Sequence, residues 1–188
     1  MTPGVLVKEK AQSETSISFT DIEKHWARET IKKLAGIGAV SGYPDGTFRP
    51  DAKITRGEFT TILVKALKLK SAASVPAFSD TVNHFAKDSI ATAASLGIVG
   101  GYGDNTFKPD NPITREQMAV MAVKALKLSE TSGDTTFSDN SKISPWAKAS
   151  VLTAINNNIM KGYPDNTFKP QGNATRSEAV SVILSLIK

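Results

Sequence analysis

The chain has 188 residues, of which 40% are hydrophobic, and its formal net charge is +5 at pH 7. It contains no cysteine, which excludes disulfides and thiolate chemistry, and it has no apolar run near the roughly 18 residues of a membrane-spanning helix, so we expect no membrane insertion. The positive charge favours an anionic partner, such as nucleic acid, an acidic polysaccharide or a charged surface. Because the Lys and Arg residues are scattered, nucleic acid is disfavoured.

One sequence pattern recurs three times with a period of about 60 residues, which is typical of a repeat architecture. It predicts repeats at 19–72, 78–130 and 137–188, preceded by an N-terminal tail at 1–18 that has no apolar run resembling a secretion signal. Short Ser-rich linkers separate the repeats. Because each repeat alone is small, we expect the three to pack into one compact unit.

The first helix of each repeat is predicted just after a Phe-Thr-Asp or Phe-Ser-Asp segment. In the first copy, apolar residues from Ile22 to Ala35 recur at helical spacing and include Trp26. Asp21 is placed to cap the first amide groups of this helix. The helix end is marked by Gly38, Gly97 and Asn158, residue types that adopt the left-handed conformation easily.

A second helix is predicted to begin at the Thr of each Thr-Arg pair. The Thr is followed three residues later by Glu or Gln, which is the spacing of a capping box. The pairs are Thr55 with Glu58, Thr114 with Gln117, and Thr175 with Glu178. Each pair precedes a strong apolar stripe, and we expect the three stripes to pack near a pseudo-threefold axis. The predicted class is all-α.

Arg56, Arg115 and Arg176 occupy the first position of these second helices, where the helix dipole disfavours a cation. One interpretation is a local salt bridge to Asp21, Asp80 and Asp139, respectively. The other is a donor-rich site for a carboxylate or sugar oxygen, made by the guanidinium and the free amides of the helix start. The second interpretation predicts that Arg56→Ala weakens binding and leaves thermal stability nearly unchanged.

Three sets of equivalent residues complete the candidate binding site, and each has a structural alternative. The aromatic residues belong either to the core or to a surface on which sugar faces stack; they are Trp26, Phe85 and Trp146. The tyrosine rings pack in the core, or their hydroxyl groups are exposed to solvent and to a ligand; the residues are Tyr43, Tyr102 and Tyr163. The glycines serve a turn or let a ligand approach the backbone; they are Gly42, Gly101 and Gly162.

No motif for a metal, a cofactor or catalysis is present in the sequence. Asp45 and its counterparts are typical of turns, and they lack the alternating oxygen ligands of a calcium loop. His25 and His84 have no counterpart in the third repeat, which disfavours zinc. Asp21 and Glu58 offer a carboxylate pair for glycoside hydrolysis, but three near-equivalent copies favour repeated binding over one differentiated acid and base.

In this order and at this spacing, Phe-Thr-Asp-Ile-x-x-His-Trp-Ala, Gly-Tyr-Pro-Asp-Gly-Thr-Phe-x-Pro and Ile-Thr-Arg-x-Glu resemble the bacterial S-layer homology (SLH) repeat. The resemblance implies a pseudo-trimeric, three-pronged all-α domain with a central helical bundle. It also implies non-covalent attachment to the secondary polysaccharide of a Gram-positive cell wall, often through a terminal N-acetylmannosamine with a 4,6-linked pyruvate ketal. The implied location is the cell surface of a secreted protein.

The same resemblance assigns the ligand to grooves between prongs, each built from two repeats. It gives the Arg and Asp positions to ligand binding, followed by the aromatic and Gly positions. Lys161 replaces a small residue beside one loop and adds a cation for the ketal carboxylate. We expect a monomeric binding module that is not an enzyme; the alternative is a protein–protein self-assembly module of a surface layer.

Overall fold

The computed structural model describes residues 18–71 and 78–187. Nearly all of the predicted tail and most of the first Ser-rich linker therefore lie outside the described residues. The described part of the chain is helical, with only isolated bridges and no strand. Its six α-helices are α1 (Arg28–Gly36), α2 (Arg56–Ala66), α3 (Lys87–Ser95), α4 (Arg115–Ala125), α5 (Lys148–Asn156) and α6 (Arg176–Leu186). Two short 3₁₀ turns, Asn140–Lys142 and Pro145–Ala147, precede α5.

The first helix of each repeat begins later than the sequence predicts. In the first repeat, turns fill the segment before Arg28, and α1 is preceded by Ala27 without any side-chain cap. The prediction that Asp21 caps this helix is therefore wrong. Trp26 is 67% exposed and stands outside the buried stripe of α1. The buried stripe consists of Ile31, Leu34 and Ala35.

The other predicted helix boundaries are confirmed. Gly38, Gly97 and Asn158 have φ values of 72°, 70° and 56°, the left-handed conformation expected just after a helix. All three capping boxes are present at the starts of α2, α4 and α6, with the Thr hydroxyl and the side chain of the third helical residue each accepting a backbone N–H.

The first helix of each repeat packs against the second helix of the preceding repeat. Thus α3 packs on α2, α5 packs on α4, and α1 packs on α6, so the last repeat meets the first. Helix α6 also contacts α2 and α4, forming the centre of the molecule. Each of these helix pairs forms one prong, and each prong is therefore built from two repeats. The three prongs interlock in a ring, which confirms the pseudo-trimeric arrangement with a central bundle.

A ring of backbone hydrogen bonds lies between the repeats just before the second helices. The amide N of Ile54 donates to Ala174 O (3.1 Å), that of Ile113 to Ile54 O (3.0 Å), and that of Ala174 to Ile113 O (3.0 Å). All three side chains are fully buried. Because each repeat contributes one donor and one acceptor, the ring ties the starts of α2, α4 and α6 together around the pseudo-threefold axis.

Candidate functional site

The three arginines are buried at the contacts between repeats. Arg56, Arg115 and Arg176 are only 7%, 6% and 5% exposed. The Nε of each donates to the backbone carbonyl of a Phe in the next repeat around the ring. The acceptors are Phe107 O at 3.0 Å, Phe168 O at 2.7 Å and Phe48 O at 2.9 Å, in the same order. Each arginine therefore holds a neighbouring loop, whatever else it does.

The helix-start amides are already occupied, so the prediction that they are free for a ligand is wrong. In α2, the amides of Arg56 and Gly57 donate to Asn111 O and Pro109 O of the next repeat, at 2.9 and 2.8 Å. The next amide, that of Glu58, donates to the capping Thr55 hydroxyl. Equivalent bonds form at the starts of α4 and α6. Because these amides are occupied, the arginine guanidinium is the group at each helix start that a ligand could still contact.

The proposed pairing of the arginines with the aspartates is also wrong. The two carboxylate oxygens of Asp21 accept from the backbone amides of Phe48 and Arg49, at 2.8 and 2.7 Å. Asp80 and Asp139 bind the equivalent amides in their own repeats. These carboxylates brace the loop from within the repeat because both oxygens are used on backbone N–H groups. A ligand role for the aspartates stays a prediction.

Two arginines pair instead with the capping-box glutamate of the next repeat. Arg176 Nη1 lies 2.8 Å from Glu58 Oε1, and Arg115 Nη1 lies 3.3 Å from Glu178 Oε1. Sequence reasoning missed these pairs. The sequence predicted Glu58 and Glu178 as helix caps, and Glu58 also as one of a weighed carboxylate pair, but it did not predict that the second carboxylate oxygen binds an arginine of another repeat.

The tyrosines lie beneath the guanidinium groups. The Cζ of Arg176 stands 5.0 Å from the Tyr43 ring centroid, and that of Arg115 stands 4.5 Å from the Tyr163 ring centroid. The Tyr163 hydroxyl donates to Glu178 Oε1 at 2.5 Å. Burial and this hydrogen bond raise the pKa of Tyr163 to about 12. Tyr43 and Tyr163 thus each join the arginine of one repeat to the second helix of the next.

The glycines are required by close packing within each repeat. A Cβ added at Gly42 would lie 2.4 Å from Phe19 Cε1, and one at Gly162 would lie 2.1 Å from Phe137 Cε1. Real Cβ atoms do not approach so closely. The Phe ring that packs against each of these positions therefore explains why the residue is glycine. Backbone access for a ligand stays a prediction.

Two inter-repeat grooves open into cavities. Groove A has a volume of about 180 Å³, and groove B one of about 260 Å³. The residues of groove A used below are Gly42, Tyr43, Glu58, Lys65, Phe85 and Arg176. Those of groove B are Arg56, Gly101, Tyr102, Gln117, Lys124 and Trp146. Each groove therefore combines residues from three repeats, one more than the family resemblance implies.

The third site, groove C, is defined by the contacts of Arg115 with Tyr163 and Glu178. Its guanidinium also donates from Nη2 to the backbone carbonyl of Lys161 at 2.7 Å. The Lys161 side chain itself is exposed. The structure thus gives Lys161 a contact with the groove through its backbone, while the predicted role of its ammonium group stays untested.

The predicted aromatic residues stand at the protein surface and not in the core. Trp26, Phe85 and Trp146 are 67%, 71% and 59% exposed. Phe85 lines groove A and Trp146 lines groove B. An exposed aromatic face beside a buried guanidinium provides the two surfaces that an acidic sugar uses, one for its C–H face and one for its anionic group.

Two further findings restrict the chemistry. Within residues 18–71 and 78–187, no group of three or more His, Asp or Glu side chains is arranged to hold a metal ion. No helix in the same ranges is long and apolar enough to cross a membrane.

An all-α ring of three interlocked repeats with a buried arginine in each inter-repeat groove defines a repeat-built binding module. The model of the S-layer homology domain matches residues 18–60, 77–119 and 136–180. The chain therefore belongs to the S-layer homology family, as the resemblance in the sequence predicts. The function class that this family supports is attachment to the bacterial cell wall at the surface of Gram-positive-type bacteria.

Known relatives carry similar segments within longer proteins. Exoglucanase XynX of Acetivibrio thermocellus is 37% identical over 92% of this chain, which corresponds to 16% of that enzyme. The cellulosome-anchoring protein of the same organism is 34% identical over 82% of this chain and 37% of its own length. The surface-layer 125 kDa protein of Lysinibacillus sphaericus is 30% identical over 87% of this chain and 14% of its own length. The chain thus spans only a minor part of each relative.

Proposed function

We propose that this chain anchors a surface protein by binding secondary cell wall polysaccharide in its inter-repeat grooves, through a terminal N-acetylmannosamine that carries a 4,6-linked pyruvate ketal. The observation that carries the proposal is a buried arginine beside a tyrosine in all three grooves, joined in grooves A and B by an exposed aromatic residue. The guanidinium suits the ketal carboxylate. The aromatic ring suits the sugar face and the acetamido methyl group.

The chain acts as a monomer in this proposal, and its repeated grooves raise retention on the wall. Several weak sites on one chain bind a dense polymer more firmly than any single site, because each bound sugar increases the effective concentration of the next. The relatives named as an exoglucanase and a cellulosome-anchoring protein are consistent with such a module holding a larger protein at the cell wall.

The chain itself is proposed to be non-catalytic. Glu58 and Glu178 face the grooves but are engaged in ion pairs with arginines. Groove A is lined by one carboxylate and groove B by none, whereas glycoside hydrolysis needs two carboxyl groups in different roles. Long incubation with cell wall glycan should therefore release no soluble sugar, and release that scales with protein concentration would contradict this part of the proposal.

The binding proposal is tested by calorimetric titration with N-acetylmannosamine, with and without the 4,6-pyruvate ketal. The matched variant replaces the exposed Trp26, Phe85 and Trp146 by Ala, because substitutions at exposed positions leave the fold largely unaffected. We expect heat only with the ketal sugar and a loss of affinity of about tenfold or more in the variant. No heat with either sugar would contradict the proposal. Concentration-dependent oligomers in sedimentation would then favour the self-assembly alternative, which the surface-layer relative suggests.

A further inference from the structure

The three equivalent arginines differ in how many partners their guanidinium groups have. Arg115 donates from Nε, Nη1 and Nη2, to Phe168 O, Glu178 and Lys161 O. Arg176 donates from Nε and Nη1. In the described part of the chain, Arg56 has one side-chain hydrogen bond, from Nε to Phe107 O. The terminal nitrogens of Arg56 are thus left for another acceptor.

The cause is a single residue, Gln117. It stands at the capping-box position that holds Glu58 in α2 and Glu178 in α6. Gln117 Oε1 accepts the Thr114 backbone N–H at 3.2 Å, which fixes the orientation of the amide. The other amide atom is therefore Nε2, a donor, at the position where Glu58 and Glu178 offer an accepting oxygen. A donor there cannot pair with a guanidinium.

The same substitution removes the acceptor of a tyrosine hydroxyl. Tyr43 and Tyr163 donate to Glu58 and Glu178. Tyr102 stands at the equivalent position beside Gln117, which has no carboxylate oxygen to offer. Groove B therefore brings together the Arg56 guanidinium, the Gln117 amide NH₂ and the Tyr102 hydroxyl, all of them donors without an internal carboxylate acceptor.

The charge of the two cavities differs accordingly. Groove A is lined by two cations, Arg176 and Lys65, and by the carboxylate of Glu58. Groove B is lined by two cations, Arg56 and Lys124, and by no carboxylate. Burial lowers the pKa of the Arg56 guanidinium, with Tyr102 and Asp80 acting in the opposite direction. A buried guanidinium that donates to no carboxylate favours the arrival of an anion.

We infer that groove B is the anion-selective groove of this chain and that Gln117 is the residue that makes it so. A sugar carboxylate replaces the oxygen that Glu58 and Glu178 supply in the other two grooves. Groove A, whose arginine is already neutralised, binds the same anion more weakly. The inference rests on the proposed function for the identity of the sugar, but the selectivity for a carboxylate follows from the groove itself.

The chain offers an isosteric pair of variants to test this. Gln117→Glu keeps the capping box, because Glu fills it in α2 and α6, and it supplies the missing carboxylate to Arg56. Glu58→Gln makes the reverse change in groove A. Circular dichroism establishes that both variants are folded before binding is measured.

Trp146 provides a signal that is specific to groove B. Groove A has Phe85 at the corresponding position, and the chain contains only two tryptophans. In a Trp26→Phe background, the fluorescence therefore reports on Trp146 alone. The probes are the pyruvylated N-acetylmannosamine, glucuronate and N-acetylneuraminate as other acidic sugars, and plain N-acetylmannosamine as the neutral control.

We expect an acidic sugar to change the fluorescence of Trp146. Gln117→Glu should weaken that binding about tenfold or more. Glu58→Gln should add a second anion site, which raises the stoichiometry measured by calorimetry.

If glucuronate or N-acetylneuraminate binds in this Gln117-dependent way while the ketal sugar does not, the inference holds and the proposed ligand is wrong. If the ketal sugar binds without any response of Trp146 or of the Gln117 variant, the proposed function holds and the inference is overturned. Failure of every acidic sugar to affect Trp146 also overturns the inference.

Discussion

Arg176 and Glu58 form an ion pair between the last repeat and the first, with 2.8 Å between Nη1 and Oε1. The side chains of Arg176 and Glu58 are only 6% and 22% exposed. Together with the packing of α1 on α6, this pair closes the ring of repeats. The residues that line groove A are therefore also residues that hold the two ends of the domain together.

Arg176→Ala should destabilise the fold more than Arg56→Ala does. Removing Arg176 leaves Glu58 without its partner in a partly buried site, which costs about 3 kcal/mol. Removing Arg56 loses one hydrogen bond to Phe107 O but also a buried cation that lacks a carboxylate, so the cost is about 1 kcal/mol. The free energies of unfolding from urea titrations check the order.

Equal costs for the two variants would mean that the Arg176–Glu58 pair adds no net stability. The burial of Arg56 also corrects the expectation that its removal leaves stability nearly unchanged. The helix-dipole argument treats the arginine as an exposed cation, whereas the structure buries it against a loop of the next repeat.

Gly42→Ala should destabilise the protein although the added group is one methyl. The new Cβ would lie 2.4 Å from Phe19 Cε1 and 2.6 Å from the backbone oxygen of Thr47. The Thr47 oxygen cannot rotate away, so overpacking costs about 2–3 kcal/mol. Gly36→Ala is the control, because nothing lies within 4 Å of its Cβ position in α1, and it should gain up to about 1 kcal/mol. Thermal unfolding distinguishes the two, and an unchanged melting temperature for Gly42→Ala would contradict the packing argument.

The features that the sequence predicted well depend on residues that are close together in the chain. Thr55 and Glu58 are three positions apart, and one capping box links them directly. Gly38 ends its helix through its own backbone conformation. Repetition of these local signals three times was enough to identify the all-α class and the pseudo-trimeric arrangement. Gln117, the exception among the three capping boxes, was visible too, but its consequence was not.

The features that sequence missed depend on which repeat meets which. The partner of Arg176 is 118 positions away, and three similar copies offer similar carboxylates, so the pattern alone cannot assign it. Asp21 was assigned to the helix nearest in sequence, yet it binds amides 27 and 28 positions later. The composition of a groove from three repeats follows from the interlocked packing, which no local pattern encodes.

A single repeat should not fold by itself. In a fragment of residues 18–71, α1 lacks its partner α6 and α2 lacks its partner α3. Short helices without a packed apolar face are marginal in water, so far-UV circular dichroism should show an unfolded chain. The complete chain should unfold in one cooperative transition. A cooperative thermal transition of the fragment would contradict the interlocked arrangement.

Tyr163 should be identifiable as a tyrosine that ionises at about pH 12. Its pKa is raised to about 12 from a reference of 10.0 because it is partly buried and donates to Glu178. A raised pKa favours the neutral form, so the stability contributed by Tyr163 is fully present below about pH 10 and is lost as the pH rises to about 12. Phenolate absorbance, recorded immediately after pH jumps so that unfolding does not intervene, should show a step near pH 12. Tyr163→Phe should remove that step. If the step survives in the variant, the Tyr163–Glu178 contact does not hold the phenol neutral.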